Sequence, residues 1–293
     1  MAFWQITVPT SPDTSEGLTN FLWEQGALGV VEEESPVSAA RLRAFFPDSA
    51  SSTALVISVR EYAAGLVTLG FLTAPGEVEI APLREEAWAS AWQQSFPPRA
   101  IGRRLWVKPP WEAADATDRI PVVIEPGRAF GTGHHGSTEG CLALLDVAIA
   151  DTRPERILDI GTGTGILAVA ALKLGAGRVV ALDVDPDAIA AARVNAARNG
   201  CAERIELFMA GPESLRGVEP FPLVLANLLA HTHLAFGRHY RRQAAPGGAL
   251  ILGGILEHED KDVIAALEPE GFLLRERLVI EGWSSLLLEA AAA

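Results

Sequence analysis

The run Ile157–Ala176, ILDIGTGTGILAVAALKLGA, constrains this chain more than any other segment. An apolar stretch leads to Asp159, glycines follow at 161, 163 and 165, and a helix-forming run begins at once. A strand that passes through a glycine turn into a helix is the start of a βαβ unit, and βαβ units build parallel sheets covered by helices. Glycines let the backbone approach a ligand, and the first turn of the helix offers N–H groups with no partner in the helix. Dinucleotide turns read GxGxxG. Here the spacing is GxGxG, and Ile166 stands where that pattern has its third glycine. Asp159 lies two residues before the first glycine, where a carboxylate opposes a pyrophosphate but favours the ammonium of a methionine. The pattern DxGxGxG, carried by Asp159, Gly161 and Gly163, therefore points to S-adenosylmethionine rather than NAD.

Three further segments extend this reading. In VVALDVDP, Asp183 ends a second strand 20 residues beyond Gly163. An acid at that distance accepts hydrogen bonds from ribose hydroxyls. Asp185, followed by Pro186, is expected to cap the next helix and not to pair with Asp183 in catalysis. In PLVLANLLAH, Asn227 ends a strand at the carboxyl edge of the sheet, where ligands of such folds bind. A turn or cap role is the alternative, and its position favours facing the ligand. The NPPY-type sequence of amide and nucleobase methyltransferases is absent, since Asn227 is followed by Leu-Leu-Ala. In IEPGRAFGTGHHGSTEGCLALL, two glycines flank Thr132 in a loop able to wrap a small molecule, and Ser137 and Thr138 are expected to cap the helix that follows. His134 and His135 are adjacent and lack metal-ligand spacing, so no metal site is expected. The other histidines are expected at the surface or in packing, with His231 alone near the site edge.

Seven apolar runs from RILDIG to WSSLLLEA, most separated by helical segments, predict a seven-stranded Rossmann-like α/β domain over residues 104–293. The last two, LLRERLVIEG and WSSLLLEA, adjoin without a helix and predict an antiparallel hairpin at the sheet edge. LWVKPPW and IPVVIEPG read as strands before the Gly-rich loop. Residues 1–84 follow the order βαββαβ, a smaller ferredoxin-like α+β domain, with a first helix over Ser15–Gly26 capped by Ser15. Residues 85–103 read as a helical linker with Trp88 and Trp92 one turn apart, packing against a neighbouring domain.

Lys and Arg number 24 against 37 Asp and Glu, a net charge of −13. A surface this acidic argues against a phosphate backbone as partner and matches a basic protein. Cys141 and Cys201 belong to no CxxC pair, so buried free thiols in a reducing compartment are expected. The N-terminus has no signal-peptide pattern and no stretch is apolar enough to span a bilayer, so a cytoplasmic protein with no membrane contact is expected.

EPGRAFGTGHHGST, LDIGTGTGILAVAALKLGA, ALDVDPDAI and LVLANLLAH together resemble the PrmA family, and the paired tryptophans before FPPRAIGRRLWVKPPW resemble its linker. The likeness covers residues 84–290, with FGTGHH as its specific part, while residues 1–84 match in element order. It implies a monomeric enzyme that transfers methyl groups from S-adenosylmethionine to lysine side chains and the N-terminal amine of large-subunit ribosomal protein eleven. It places cofactor contacts at Thr138, Gly161, Asp183 and Asn227, with Phe130, Gly131 and Thr132 over the methionine end. Where the family has Thr-Thr this chain has Ser137-Thr138, which keeps a hydroxyl. No general base stands out, and none is assigned. The competing readings are a methyltransferase of another protein or of RNA, and a NAD-dependent dehydrogenase.

Overall fold

The computed structural model describes residues 2–33, 40–47, 49–71, 77–84, 96–113, 118–127, 131, 133, 135–215 and 217–292. The chain divides into two compact units, Met1–Pro97 and Pro98–Ala293.

The first unit contains β1 (Ala2–Pro9), α1 (Pro12–Glu24), β2 (Gly29–Glu33), β3 (Arg41–Pro47), α2 (Ser52–Thr68) and β4 (Glu79–Arg84). Its sheet has the order β2-β3-β1-β4 with every pairing antiparallel, the ferredoxin-like arrangement. Alternation decides which face is buried. Ile6 and Val8 of β1 and Leu42, Ala44 and Phe46 of β3 pack against Leu18 and Leu22 of α1 and Leu55 and Val59 of α2. The β-branched residues of α2 do not prevent a helix, because Leu55 and Val59 lie one turn apart and both are buried. The first helix begins earlier than the sequence predicts. Pro12 occupies its first turn, where a missing N–H costs nothing, and Ser11 rather than Ser15 precedes it. The Thr14 hydroxyl accepts from the Ser11 N–H at 3.1 Å, and Ser15 instead donates to Glu32 at 2.7 Å.

The second unit opens with a small sheet of β5 (Arg99–Ile101), β6 (Leu105–Lys108) and β7 (Ile120–Val123). Trp88 and Trp92 lie outside the described residues. The main sheet has the order β10-β9-β8-β11-β12-β14-β13. Its strands are β8 (Arg156–Ile160), β9 (Arg178–Asp183), β10 (Ile205–Met209), β11 (Phe221–Asn227), β12 (Ala244–Leu256), β13 (Phe272–Ile280) and β14 (Trp283–Ala290). The first five are parallel, and β14 runs antiparallel between β12 and β13. The helices are α3 (Gly136–Thr152), α4 (Ile166–Leu174), α5 (Pro186–Arg198), α6 (Ala230–Gln243) and α7 (Asp260–Leu267).

Strands buried on both faces explain the near-continuous apolar runs. Along β11, Leu223 and Leu225 join one core with α3 and α4, while Val224 and Ala226 join the other with α6 and α7. The hairpin expected at the sheet edge is β13–β14. Its two-residue turn, Glu281 and Gly282, has φ of 54° and 79°, the left-handed pair that matches strand twist. Chain order reverses between β8 and β11, which makes the carboxyl ends of these strands the topological switch point. Both cysteines are buried and free, as expected. Among the described residues no group of acids, histidines and cysteines could hold a metal, and no helix is long and apolar enough to cross a membrane.

Candidate active site

The switch point gathers most of the residues singled out from sequence. Asp159 lies near the end of β8 and is wholly buried. Its Oδ2 accepts from the Thr162 hydroxyl at 2.6 Å, while its Oδ1 is buried with no partner. Burial pushes its carboxyl up to about 7. The Thr162 bond opposes that rise, the nearby charge of Asp183 adds to it, and a bond from the Ala168 backbone opposes it again.

The glycine turn is fastened to the end of β9. Gly161 and Thr162 donate their N–H groups to the Leu182 carbonyl at 2.8 and 2.9 Å, and the Gly163 N–H donates to Asp183 Oδ2 at 2.9 Å. Gly161 and Gly163 hold φ of 72° and 54°, which L side chains rarely adopt. Asp183 also accepts from the Asp185 N–H at 3.0 Å through Oδ1, and the carboxylate remains half-buried at the strand end with lone pairs to spare. Asp185 is a helix cap, accepting from the Asp187 N–H at 2.8 Å with Pro186 in the first turn. It is not a partner in chemistry.

Asn227 ends β11 next to Gly161, because Ala226 pairs with Ile160 and the Leu228 side chain lies against Gly161. Its Nδ2 donates to the Thr138 hydroxyl at 3.2 Å, and its Oδ1 is buried without a partner. Thr138 is wholly buried in the first turn of α3. The expectation that Ser137 and Thr138 cap this helix is corrected. The helix starts at Gly136, and the cap is His135, whose Nδ1 accepts from the Ser137 hydroxyl at 2.8 Å. Burial lowers the His135 ring to about 4 and so keeps it neutral, and the Ser137 N–H that donates to Nδ1 at 3.4 Å makes that nitrogen the acceptor. Gly131 is buried, and its carbonyl accepts from the Thr164 hydroxyl at 2.5 Å. Phe130, Thr132 and His134 lie outside the described residues.

Sequence reading missed several residues. Thr162 and Thr164 sit between the glycines and turn both hydroxyls inward. Their position inside GTGTG was the available signal. His233 is wholly buried on α6, donates to the Gly253 carbonyl and accepts from the Tyr240 hydroxyl, each at 2.8 Å. That carbonyl also takes the Leu228 N–H at 3.1 Å, so His233 borders the site, where the sequence named only His231.

Two buried acceptors without donors, Asp159 Oδ1 and Asn227 Oδ1, flank the glycine turn. Unpaired polar atoms of this kind are costly unless something donates to them. The ammonium of a methionine supplies N–H donors and a positive charge, and Asp183 remains available to ribose hydroxyls. These residues fit S-adenosylmethionine. A pyrophosphate would meet Asp159 with its own negative charge.

The sequence profile of the family described as Ribosomal protein L11 methyltransferase (PrmA) matches residues 2–291. A Ribosomal protein L11 methyltransferase of Geobacter metallireducens is 43% identical over 74% of this chain and 71% of its own length. One from Pelotomaculum thermopropionicum is 37% identical over 98% of both chains. The crystal structure of ribosomal protein L11 methylase from Lactobacillus delbrueckii subsp. bulgaricus superposes with a TM-score of 0.61 at 30% identity, covering 67% of this chain and all of that one.

Proposed function

Since the chain belongs to the Ribosomal protein L11 methyltransferase (PrmA) family, we propose that it methylates amino groups of ribosomal protein L11, at lysine side chains and the N-terminus, with S-adenosylmethionine as donor. The observation that carries this reading is the pair of orphaned acceptors, Asp159 Oδ1 and Asn227 Oδ1, at the switch point of the sheet. When bound, the cofactor supplies a methyl group on a sulfonium, open to attack by a nitrogen lone pair. Asp159 and Asn227 hold the ammonium of its methionine end, and Asp183, fixed by the Gly163 and Asp185 N–H groups, holds the ribose. Gly161 and Gly163 hold left-handed φ values and place no side chain at their own positions in the turn.

An attacking lysine must first lose its proton, since an ammonium has no lone pair. A site with little water disfavours the charged amine and assists that loss. The chain's remaining task is alignment, which converts a bimolecular encounter into a near-unimolecular step. Thr138 holds the Asn227 amide by its Nδ2, so that Oδ1 stays available to the ligand. We assign residues 1–84 to substrate selection and residues 104–293 to methyl transfer, in a monomer acting in the cytoplasm. The net charge of −13 supports a basic protein as partner through electrostatic steering.

The test is mass spectrometry of purified L11 after incubation with the full chain and isotopically labelled cofactor. The expected result is label on lysine and N-terminal nitrogens. Label confined to other residues, or none with an enzyme that binds cofactor, would remove the amine assignment.

A further inference from the structure

Two residues outside the set assigned to the cofactor tie one chain segment to the glycine turn. The segment runs between β7 and α3. Near its start, the Glu125 N–H donates to Asn195 Oδ1 at 3.0 Å. Asn195 is a buried residue of α5, and its Nδ2 donates to the Thr164 carbonyl at 2.9 Å. Thr164 stands between Gly163 and Gly165, is wholly buried, and sends its hydroxyl to the Gly131 carbonyl further along the same segment. One helical turn beyond Asn195, Asn199 meets both backbone groups of Val123, accepting at 2.9 Å and donating at 2.7 Å. Two amide side chains, one on α5 and one at its C-cap, thus grip β7 and the residues after it as a neighbouring strand would.

The contact is close as well as polar. Gly131 and Gly133 have φ of 101° and 87°. A Cβ at Gly131 would lie 2.9 Å from Thr164 Oγ1, and one at Gly133 would lie 2.8 Å from Val107 and 3.1 Å from Ile166. Beyond Gly133 the chain enters α3, whose first turn carries the Thr138 hydroxyl that holds Asn227. The segment therefore connects the two halves of the site, and its register against the turn sets where Thr138 meets Asn227.

We propose that Thr164 and Asn195 are positioning residues for methyl transfer, holding the Glu125 and Gly131 ends of this segment in register with the glycine turn. Neither is itself assigned to the cofactor, although the Thr164 hydroxyl bonds to the carbonyl of Gly131, which is. They act through Gly131 and Glu125 on the segment, and through it on Thr138 and Asn227. Alignment-limited reactions are sensitive to displacements of about 1 Å. The inference rests on the reading of the site as one for S-adenosylmethionine.

The experiment compares the full chain with Thr164→Val, which keeps shape and loses the hydroxyl, Thr164→Ser, which keeps the hydroxyl, and Asn195→Ala. Calorimetry with S-adenosylhomocysteine, well below the melting temperature of each variant, is the readout. Thr164→Val and Asn195→Ala are each expected to raise Kd about ten-fold, and their combination less than multiplicatively, because both act on one segment. Thr164→Ser is expected within about two-fold of the parent. Parental Kd for Thr164→Val and Asn195→Ala, with only the melting temperature lowered, overturns the proposal. Asn195→Ala leaves the turn's own side chains intact and decides alone should Thr164→Val not fold. A folded parent chain that does not bind S-adenosylhomocysteine would instead overturn the functional reading, and this inference with it.

Discussion

Three aspartates of the second unit are almost equally inaccessible, and they have different surroundings. Asp146 on α3 accepts from the Arg103 and Arg104 N–H groups at 2.6 and 3.1 Å and from Arg104 Nε at 2.6 Å. Asp260 on α7 accepts from Arg277 Nε at 2.6 Å and the Ser284 hydroxyl at 2.9 Å. Asp159 has one hydroxyl and a backbone bond from Ala168, no cation among the described residues, and an Oδ1 with no hydrogen-bond partner. The charges of the first two are compensated by arginines within the chain. The third lies at the carboxyl end of β8 and meets no cation among the described residues, only the Thr162 hydroxyl and the Ala168 backbone. On the proposed function, a buried carboxylate in that state is where the cofactor's ammonium binds.

The largest effect that separates these aspartates is on ligand affinity. Asp159→Asn is expected to weaken S-adenosylhomocysteine about 100-fold, equivalent to about 2.7 kcal/mol, without lowering the melting temperature. Calorimetry and a melting curve on one preparation check both halves. Asp146→Ala is expected to do the reverse, costing about 2–4 kcal/mol of stability in denaturant titration while leaving affinity unchanged. Equal stability losses in the two variants would break the comparison.

The next effect is one of pH. The folded carboxyl of Asp159 sits near 7 against an ordinary 3.8. Its contribution to the stability of the ligand-free chain is therefore fully present below about pH 4 and lost as the pH rises through about 7. Ligand binding has the opposite sign, since the ammonium favours the ionised carboxylate. Affinity is expected to rise up to about ten-fold per unit as the pH approaches 7 from below, then level off. Thr162→Val, which removes the bond that lowers this pKa, is expected to move the midpoint upward. An affinity that is flat from about pH 5.5 to 7.5 would contradict both statements. The smallest effect tests the compensated side: Ser284→Ala, which removes one donor to Asp260, is expected to cost about 1 kcal/mol of stability and nothing in affinity.

How much of this was readable in the sequence follows from where each partner lies. The glycine turn, Asp159, Asp183 and Asn227 were legible because each stands at the end of a short apolar run, and a strand's end fixes its residue at the sheet edge. The order of elements in the first unit and in the main sheet followed from the same periodicities, whereas β5 (Arg99–Ile101) is a strand within the stretch 85–103 that the sequence predicts as a helical linker. The caps were less legible. Pro12 starts α1 and moves the cap from Ser15 to Ser11, and a histidine takes the place at α3 where Ser137 and Thr138 offered hydroxyls. The coupling of Asn195 to Glu125 joins residues 70 apart, and that of Thr164 to Gly131 residues 33 apart. Neither spacing carries a local signal, and only the fold brings these residues together.

The claim that Asp159 awaits a cationic ligand is tested most directly by counting protons. Calorimetric titration of the full chain with S-adenosylhomocysteine, in buffers of different ionisation enthalpy near pH 7, measures the protons released on binding. With the carboxyl near 7 in the free chain and ionised in the complex, about half a proton is expected to leave per ligand bound, and none in Asp159→Asn. Binding with no proton release in the parent, or the same release in the variant, would contradict the account.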